Sequence, residues 1–109
     1  MPYMPMDKLL PLEILDAMPR LGDCSQKKSE EITIPLKLFD AMGSATWFCY
    51  EYDPEARIFF CFANLGYDMN AELGTVSLDE LLESVPMLER DFYWDTDTTL
   101  KQVMDFEKR

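Results

Sequence analysis

The chain predicts an α+β fold, with a mostly antiparallel sheet of about four or five strands and two or three short helices. The length of 109 residues suits one domain with a single hydrophobic core, and the hydrophobic fraction of 48% argues against intrinsic disorder. Two aromatic-rich runs flank a turn, which is typical of neighbouring antiparallel strands. Short stretches with helical periodicity stand before and after the strand patterns, and together these observations indicate the α+β class.

The N-terminal part predicts one short helix followed by a polar loop. Residues 10–18 have the apolar spacing of a helix, with Pro11 in the first turn and Pro19 just beyond the end. Proline fits a first turn because its missing N–H would have no helical partner there. Residues 22–29 are polar and typical of a connecting loop, so their composition favours exposure of Cys24.

Three strand patterns follow. Residues 32–38 alternate apolar and polar side chains, which predicts a half-buried strand. Pro35 favours an edge position because proline lacks the N–H that a neighbouring strand would bind. Residues 46–51 and 58–63 are aromatic-rich and flank the turn-forming stretch 53–56, which predicts an antiparallel hairpin. Both alternate sets of this hairpin are largely apolar, so it should lie centrally or be covered on both sides.

A fourth strand and a capped helix are predicted next. Residues 73–76 suit a strand. Ser77 and Glu80 have the spacing of a capping box, which opens a helix, and Pro86 ends that helix. The inward stripe of the helix consists of Leu78, Leu81, Leu82 and Val85.

The C-terminal part predicts a short strand and a last helix. Residues 92–94 suit the strand, with Phe92 in the core, and either Thr98 or Thr99 can cap the helix. The apolar face of that helix consists of Leu100, Val103 and Met104. The expected division of the single domain is 1–30 for the N-terminal helix and polar loop, 31–94 for the sheet core with its capped helix at 77–85, and 95–109 for the C-terminal helix.

The net charge of -11 is concentrated where the chain is also most aromatic. Residues 38–89 include ten carboxylates and a single basic side chain, Arg57. Because buried carboxylates are costly unless they are paired, we expect all of them to lie outside, over an aromatic interior. Such a surface repels nucleic acid and membranes and attracts basic proteins over long range. We therefore expect neither nucleic acid nor a membrane as a direct partner.

The absence of histidine excludes several classes of reaction. Ser-His-Asp and Cys-His nucleophile systems and histidine-containing zinc sites all require it, so we expect no cofactor and no enzymatic activity. The three cysteines form no C-x-x-C pair, and their odd number argues against a secreted disulfide framework. The N-terminus lacks the features of a signal peptide, and no apolar run approaches the roughly 18 residues of a membrane span. A soluble, cytoplasmic protein is the expectation.

Most of the exposed carboxylates are candidates for binding a basic protein partner. Duplex DNA carries about one negative charge per 1.7 Å of its axis, and a rigid fold with carboxylates several ångströms apart could occupy a groove that binds nucleic acid. The candidate partner-binding residues are Glu51, Asp53, Glu55, Asp68, Glu72, Asp79, Glu80, Glu83, Glu89, Asp91, Asp95 and Asp97. The alternative is that these charges serve solubility and, for Asp79 and Glu80, the dipole of the helix.

Other sites remain as alternatives. Asp91, Asp95 and Asp97 could bind a hard cation through oxygen, but the stretch lacks the glycine and distal glutamate of an EF-hand loop. Paired carboxylates for acid–base catalysis would need a cleft. The aromatic runs could stack bases, but no Lys or Arg accompanies them, which favours a core role. Tyr67, Tyr93 and Trp94 stand beside turns and acids, where they could anchor a protein interface or close the sheet.

Several short motifs follow one another in an order that resembles a known family. The motifs are Thr46-Trp47, Glu51-Tyr52-Asp53-Pro54-Glu55, Phe59-Phe60, Asn64-Leu65-Gly66, Ala71-Glu72-Leu73-Gly74, Ser77-Leu78-Asp79-Glu80-Leu81 and Glu89-Arg90-Asp91 with Tyr93. The family is catalogued only as a domain of unknown function and is common on conjugative plasmids, integrative elements and phages. The resemblance covers residues 34–94. The chain departs from the family pattern at Cys61, where members often carry glycine, and at Thr75, where they often carry an aromatic side chain.

The resemblance implies an accessory protein of a mobile element and supplies no catalytic residues. Small, strongly acidic proteins of such elements are similar in style to anti-CRISPR and anti-restriction inhibitors. Our leading hypothesis is a non-enzymatic inhibitor that binds a host protein with a basic groove, such as a Cas9-type nuclease or another nucleic-acid-binding protein, by DNA mimicry. The alternative is a non-catalytic adaptor or regulatory protein of a conjugative or phage system, which would bind through an apolar patch.

Overall fold

The computed structural model describes residues 4–66 and 71–107, in which short helices pack against one antiparallel five-stranded sheet. The strands are β1 (Leu36–Asp40), β2 (Thr46–Asp53), β3 (Ile58–Asn64), β4 (Glu72–Ser77) and β5 (Leu88–Arg90), in the sheet order β4-β3-β2-β1-β5. The helices are α1 (Met6–Leu9), α2 (Leu12–Ala17), α3 (Leu78–Ser84) and α4 (Leu100–Glu107), with a single 3₁₀ turn at Ser29–Glu31. This confirms the predicted α+β class. Within the described ranges no helix is both long and apolar enough to cross a bilayer.

The central β2–β3 hairpin is apolar on both faces, and a separate layer covers each face. On one face, Cys49 and Cys61 pack with apolar residues of α1, α2 and α3. On the other face, Phe48 and Phe62 pack with α4. The first core cluster includes Leu9, Leu38, Trp47, Cys49, Tyr52, Phe59, Cys61, Leu78 and Leu81, and the second core cluster includes Cys24, Ile32, Ile34, Phe48, Tyr50, Phe62, Leu100 and Val103. The prediction of a central hairpin covered on both sides is therefore confirmed.

A β-bulge in β2 changes the alternation of its side chains. The pairing of β2 with β3 shifts between Cys49 and Glu51, so that Tyr50 is an extra residue in the ladder. Tyr50 packs in the second core cluster, whereas Tyr52, two positions further on, packs in the first. In a regular strand these two side chains would share a face. The bulge thus lets Glu51 follow Tyr50 towards the second core cluster, where its hydrogen-bond partner Cys24 lies.

The segment before β1 differs from the predicted edge strand over residues 32–38. Ile32 and Ile34 are buried in the second core cluster, and the backbone N–H of Ile34 donates to the carbonyl oxygen of Thr98 at 2.9 Å. β1 begins only after Pro35, and its leucines pack in the first core cluster. Because proline breaks the ladder, the chain changes layers there. The predicted edge position is wrong, since β1 lies between β2 and β5.

The helix predicted over residues 10–18 is present as α2, and a second short helix, α1, precedes it. The break falls at Pro11, which stands immediately before α2, and Pro5 stands in the same place before α1. Proline has no N–H to continue a preceding helix but fits well at the start of a new one. α2 ends shortly before Pro19, as predicted.

Both predicted helix caps are present. At the start of α3, the hydroxyl oxygen of Ser77 accepts a hydrogen bond from the N–H of Glu80 at 3.3 Å, and α3 ends before Pro86. At the start of α4, Thr99 is the capping residue. Its Oγ1 accepts from the N–H of Gln102 at 3.1 Å, and its own N–H donates to Gln102 Oε1 at 2.9 Å. This reciprocal arrangement is a capping box.

The last strand lies earlier than predicted. β5 spans Leu88–Arg90 and its leucine is fully buried, whereas residues 92–94 belong to a turn in which Asp91 Oδ1 accepts from the N–H of Tyr93 at 2.9 Å. Phe92, which was expected in the core, is 53% exposed. Aromatic residues favour strands, but here the segment that joins the sheet is the one that buries Leu88.

The burial of Cys49 and Cys61 predicts that their thiols do not react in the folded protein. Burial, followed by the neighbouring Cys61 thiol, raises the pKa of Cys49, and the reactive species is the thiolate. In a Cys24→Ser variant, which lacks the loop thiol, we expect no reaction with Ellman's reagent under native conditions and complete labelling of both thiols in denaturant. Absorbance of the released thiolate measures this. Rapid labelling without denaturant would contradict the buried positions.

Candidate protein-binding surface

One candidate carboxylate, Glu51, is buried in the fold rather than displayed on the surface. It is only 4% exposed. Its two oxygens accept hydrogen bonds from the backbone N–H groups of Gly22 at 3.0 Å and Cys24 at 2.7 Å. Backbone amides can thus compensate a buried carboxylate without a cation. The expectation that every carboxylate lies outside is wrong for Glu51, because that expectation counted only Lys and Arg as partners.

Burial and the Glu51 charge together raise the pKa values of two neighbouring groups. Burial raises the pKa of the Tyr50 hydroxyl, and the negative charge of Glu51 raises it further. Burial, followed by Glu51, likewise raises the pKa of the Cys24 thiol. Cys24 is buried although its polar surroundings favoured exposure, because the loop folds over the Glu51 carboxylate. Gly22 has a φ of 91°, which lets the loop turn its amides towards this side chain.

Two sets of candidate carboxylates meet at one end of the sheet, and we call them the hairpin-end acids. The first residue of β3 pairs with both Asp53 and Ser77, so the hairpin turn lies beside the start of α3. Asp53 Oδ1 accepts from the N–H of Glu55 at 3.0 Å, and Asp79 Oδ1 binds Arg57 Nε at 2.9 Å. The hairpin-end acids are Asp53, Glu55, Asp79, Glu80 and Glu83.

The remaining candidates lie elsewhere. Glu89 in β5 pairs with Phe39 of β1, and Asp91, Asp95 and Asp97 follow in the loop towards α4. Glu72 is exposed at the start of β4. The candidates Asp68 and Tyr67 lie outside the described residues. The structure therefore brings the hairpin turn and α3 together but separates them from the acids after β5.

A groove runs over the sheet face that carries the second core cluster. Two cavities, of about 640 Å³ and 450 Å³, share Lys37 and Thr46 in their walls. The smaller cavity lies over β5 and the turn between β1 and β2. The larger one, which we call the α4 pocket, lies between α4, the first residues of β2 and the loop before α4. Its aromatic and acidic wall consists of Phe48, Trp94, Asp95, Asp97, Phe106 and Glu107.

Lys37 lies in the middle of this groove. Its Nζ is 3.2 Å from Asp91 Oδ2, 5.8 Å from the centre of the Phe48 ring and 5.2 Å from the centre of the Trp94 ring. The Trp94 indole is fixed because its Nε1–H donates to the carbonyl oxygen of Ile34 at 2.8 Å. The rings therefore already stabilise a cation through their faces.

Three aromatic side chains around the groove are largely open to solvent. Tyr93 is 96% exposed, Phe106 is 67% exposed and Phe92 is 53% exposed. The sequence interpretation did not identify Phe106 as a surface residue. Its spacing of three from Val103 continues the buried face of α4, so the pattern alone would place it in the core. Exposed aromatics of this kind are enriched at protein interfaces.

Few of the candidate surface carboxylates are neutralised. Among the described candidates, Asp79 pairs with Arg57 and Asp91 pairs with Lys37. The remaining candidates that are at least partly exposed form no ion pair with a Lys or Arg within residues 4–66 and 71–107. These eight carboxylates are Asp53, Glu55, Glu72, Glu80, Glu83, Glu89, Asp95 and Asp97. Most of the described candidate carboxylates therefore keep their negative charge uncompensated by an ion pair.

Two of the three aspartates after β5 already have partners for their carboxylate oxygens. Asp91 is paired with Lys37, and Asp95 Oδ1 accepts from the N–H of Asp97 at 2.9 Å. In the part of the chain that the structure describes, no group of three or more acidic or cysteine side chains could hold a metal ion. These carboxylates shape a turn.

Replacing Glu51 by glutamine should destabilise the fold. The amide side chain has one acceptor oxygen, so one of the two backbone N–H donors loses its partner, at a cost of about 1–3 kcal/mol. Urea denaturation followed by tryptophan fluorescence measures the loss as a lower midpoint. The control is Glu55→Gln at an exposed position, which should change stability by less than about 0.5 kcal/mol. Equal midpoints for both variants would contradict the role of Glu51.

Comparison with known proteins identifies a family for this fold and surface. No curated protein and no solved structure matches the chain. The family described as protein of unknown function DUF2958 matches residues 9–109, a span that includes all five strands, α2 to α4 and the groove. Because this match covers nearly the whole sequence, the chain belongs to the DUF2958 family.

Proposed function

We propose that this protein is a non-catalytic inhibitor that binds a basic, nucleic-acid-handling host protein through its exposed carboxylates. The observation that carries the proposal is the set of eight candidate carboxylates that have no ion pair with a described Lys or Arg. A partner with a basic groove would supply the missing cations. The most specific form of the proposal is a Cas9-type nuclease, which holds its nucleic acid in a positively charged channel.

The hairpin-end acids are the part of the surface best suited to imitate a phosphate backbone. Glu80 and Glu83 stand one turn apart on α3, with a Cβ spacing of roughly 5–6 Å. The cap at Ser77 fixes the start of this helix, and the Asp53 turn fixes the hairpin beside it. Charges on fixed elements lose less conformational freedom on binding than charges on mobile chains. A basic groove would therefore meet a preformed row of carboxylates.

The family resemblance supports the inhibitor role. The resemblance implies a protein of conjugative plasmids, integrative elements or phages, and such elements meet host nucleases when they enter a cell. Small acidic proteins of such elements are similar in style to anti-CRISPR and anti-restriction inhibitors. We propose that this chain acts in the same way, by occupying the site where the host protein would hold nucleic acid.

A second candidate function is a non-catalytic adaptor of a conjugative or phage system. The observation that favours it is the exposure of Tyr93 and Phe106, at 96% and 67%, beside the groove. An adaptor would bind mainly through these side chains, because exposed aromatics bury large areas in an interface. The two functions differ in whether charge or aromatic contact carries the affinity.

The inhibitor function predicts binding that weakens with salt and competes with nucleic acid. The purified protein should retain a nucleic-acid-binding host protein from lysate at low salt, and release it at high salt or on adding target DNA or guide RNA. The triple variant Glu55→Gln, Glu80→Gln, Glu83→Gln should bind at least about tenfold more weakly, because three charge pairs are lost. Quantitative mass spectrometry of the eluted proteins and titration with the purified target measure both effects.

A matched control separates local from overall charge. The triple variant Asp16→Asn, Glu30→Gln, Glu31→Gln removes the same charge from exposed positions in α2 and the 3₁₀ turn, and its affinity should stay close to that of the original protein. If both triple variants lose the same affinity for the target, the net charge of the protein and not the position of the hairpin-end acids determines binding. If binding does not change with salt or nucleic acid and is lost in Tyr93→Ala, the adaptor function is supported and the inhibitor function is contradicted.

A further inference from the structure

We propose that the α4 pocket accepts an arginine side chain of the protein partner. This inference rests on the proposed function, since it assigns the basic partner to one surface of the molecule. It goes beyond that function by naming a second contact, apart from the hairpin-end acids, and the side chain that fills it. The volume of about 640 Å³ leaves room for the arginine together with its flanking backbone.

The charge of the pocket wall selects a cation. The carboxylates of the wall are Asp95, Asp97 and Glu107. The single cation of the wall, Lys37, is already bound to Asp91 at 3.2 Å and offers little positive charge to a ligand. Asp95 uses one oxygen for the N–H of Asp97, and Glu107 uses one for the side-chain amide of Asn64, so each keeps another oxygen as an acceptor. A phosphate or a carboxylate ligand would be repelled from this wall.

The aromatic part of the wall suits a flat cation. Phe48 and Trp94 already hold the Lys37 ammonium over their faces, which shows that this ring pair is placed for cation–π contact. Phe106 adds a third ring that is 67% exposed and lies beside Glu107 at the end of α4. An incoming cation can therefore lie against Phe106 while a carboxylate of the pocket accepts its hydrogen bonds.

Arginine fits these features better than lysine. Its planar guanidinium stacks on an aromatic face and presents several N–H donors in one plane, so that it can contact a ring and a carboxylate together. Lysine carries a compact, strongly hydrated charge that loses more hydration in such a pocket. A capped peptide of alternating glycine and arginine and its lysine counterpart are therefore the probes.

The test locates the peptide by NMR and compares its affinity among variants. The arginine peptide should shift the Trp94 indole N–H resonance and the α4 amides, leave the buried Trp47 indole unchanged, and bind at least about threefold more tightly than the lysine peptide. Phe106→Ala and Asp97→Asn should each weaken the arginine peptide by about threefold or more. Leu12→Ala and Asp16→Asn alter exposed positions on α2 and should leave its affinity unchanged.

The outcomes separate this inference from the proposed function. Shifts confined to α3 and the hairpin turn, or equal affinity of the two peptides, would overturn the arginine pocket while the inhibitor function stands. Retention of the host protein by Phe106→Ala and Asp97→Asn at full affinity would overturn it as well. If neither peptide nor any basic host protein binds at low salt, the proposed function itself falls. A native Trp47 indole resonance in each variant shows that the variant is folded, because Trp47 is buried in the first core cluster.

Discussion

Because the β2–β3 hairpin is apolar on both of its faces, the sheet needs two covering layers instead of one. The short helices α1, α2 and α3 supply the first layer, and α4 with Ile32 and Ile34 supplies the second. The hairpin end and the loop after β5 lie outside these layers; both carry exposed carboxylates, and the loop also carries the exposed aromatic side chains of Phe92 and Tyr93.

The loop between α2 and β1 is tied to the sheet by one buried carboxylate. Burying a carboxylate such as that of Glu51 costs free energy unless the carboxylate is hydrogen-bonded. The bulge at Tyr50 directs Glu51 to the backbone N–H groups of the loop, which bind it. The loop that these hydrogen bonds hold in place contributes Cys24 to the second core cluster. Glu51 therefore contributes to structure, although the sequence grouped it with the surface acids.

Local signals in the sequence predicted the local features of the fold. The caps at Ser77 and Thr99 and the two-sided hairpin depend on residues close together in the chain, and each formed where expected. The predictions were wrong where contacts between residues far apart in the chain determine the structure. Leu88 rather than Phe92 entered the sheet because of what it packs against, and Glu51 found its partners in backbone amides that no count of charged residues includes. The groove could not be predicted from the sequence either, because Lys37, Trp94 and Phe106 come together only in the folded chain.

The layer formed by α4 also bears on how the protein is made. The second core cluster joins Phe48 and Phe62 of the hairpin to Leu100 and Val103, which leave the ribosome much later. Until then the aromatic side chains that α4 covers stay exposed to water. The growing chain therefore presents an apolar surface to chaperones and to other nascent chains. A premature stop codon before α4 would make this condition permanent.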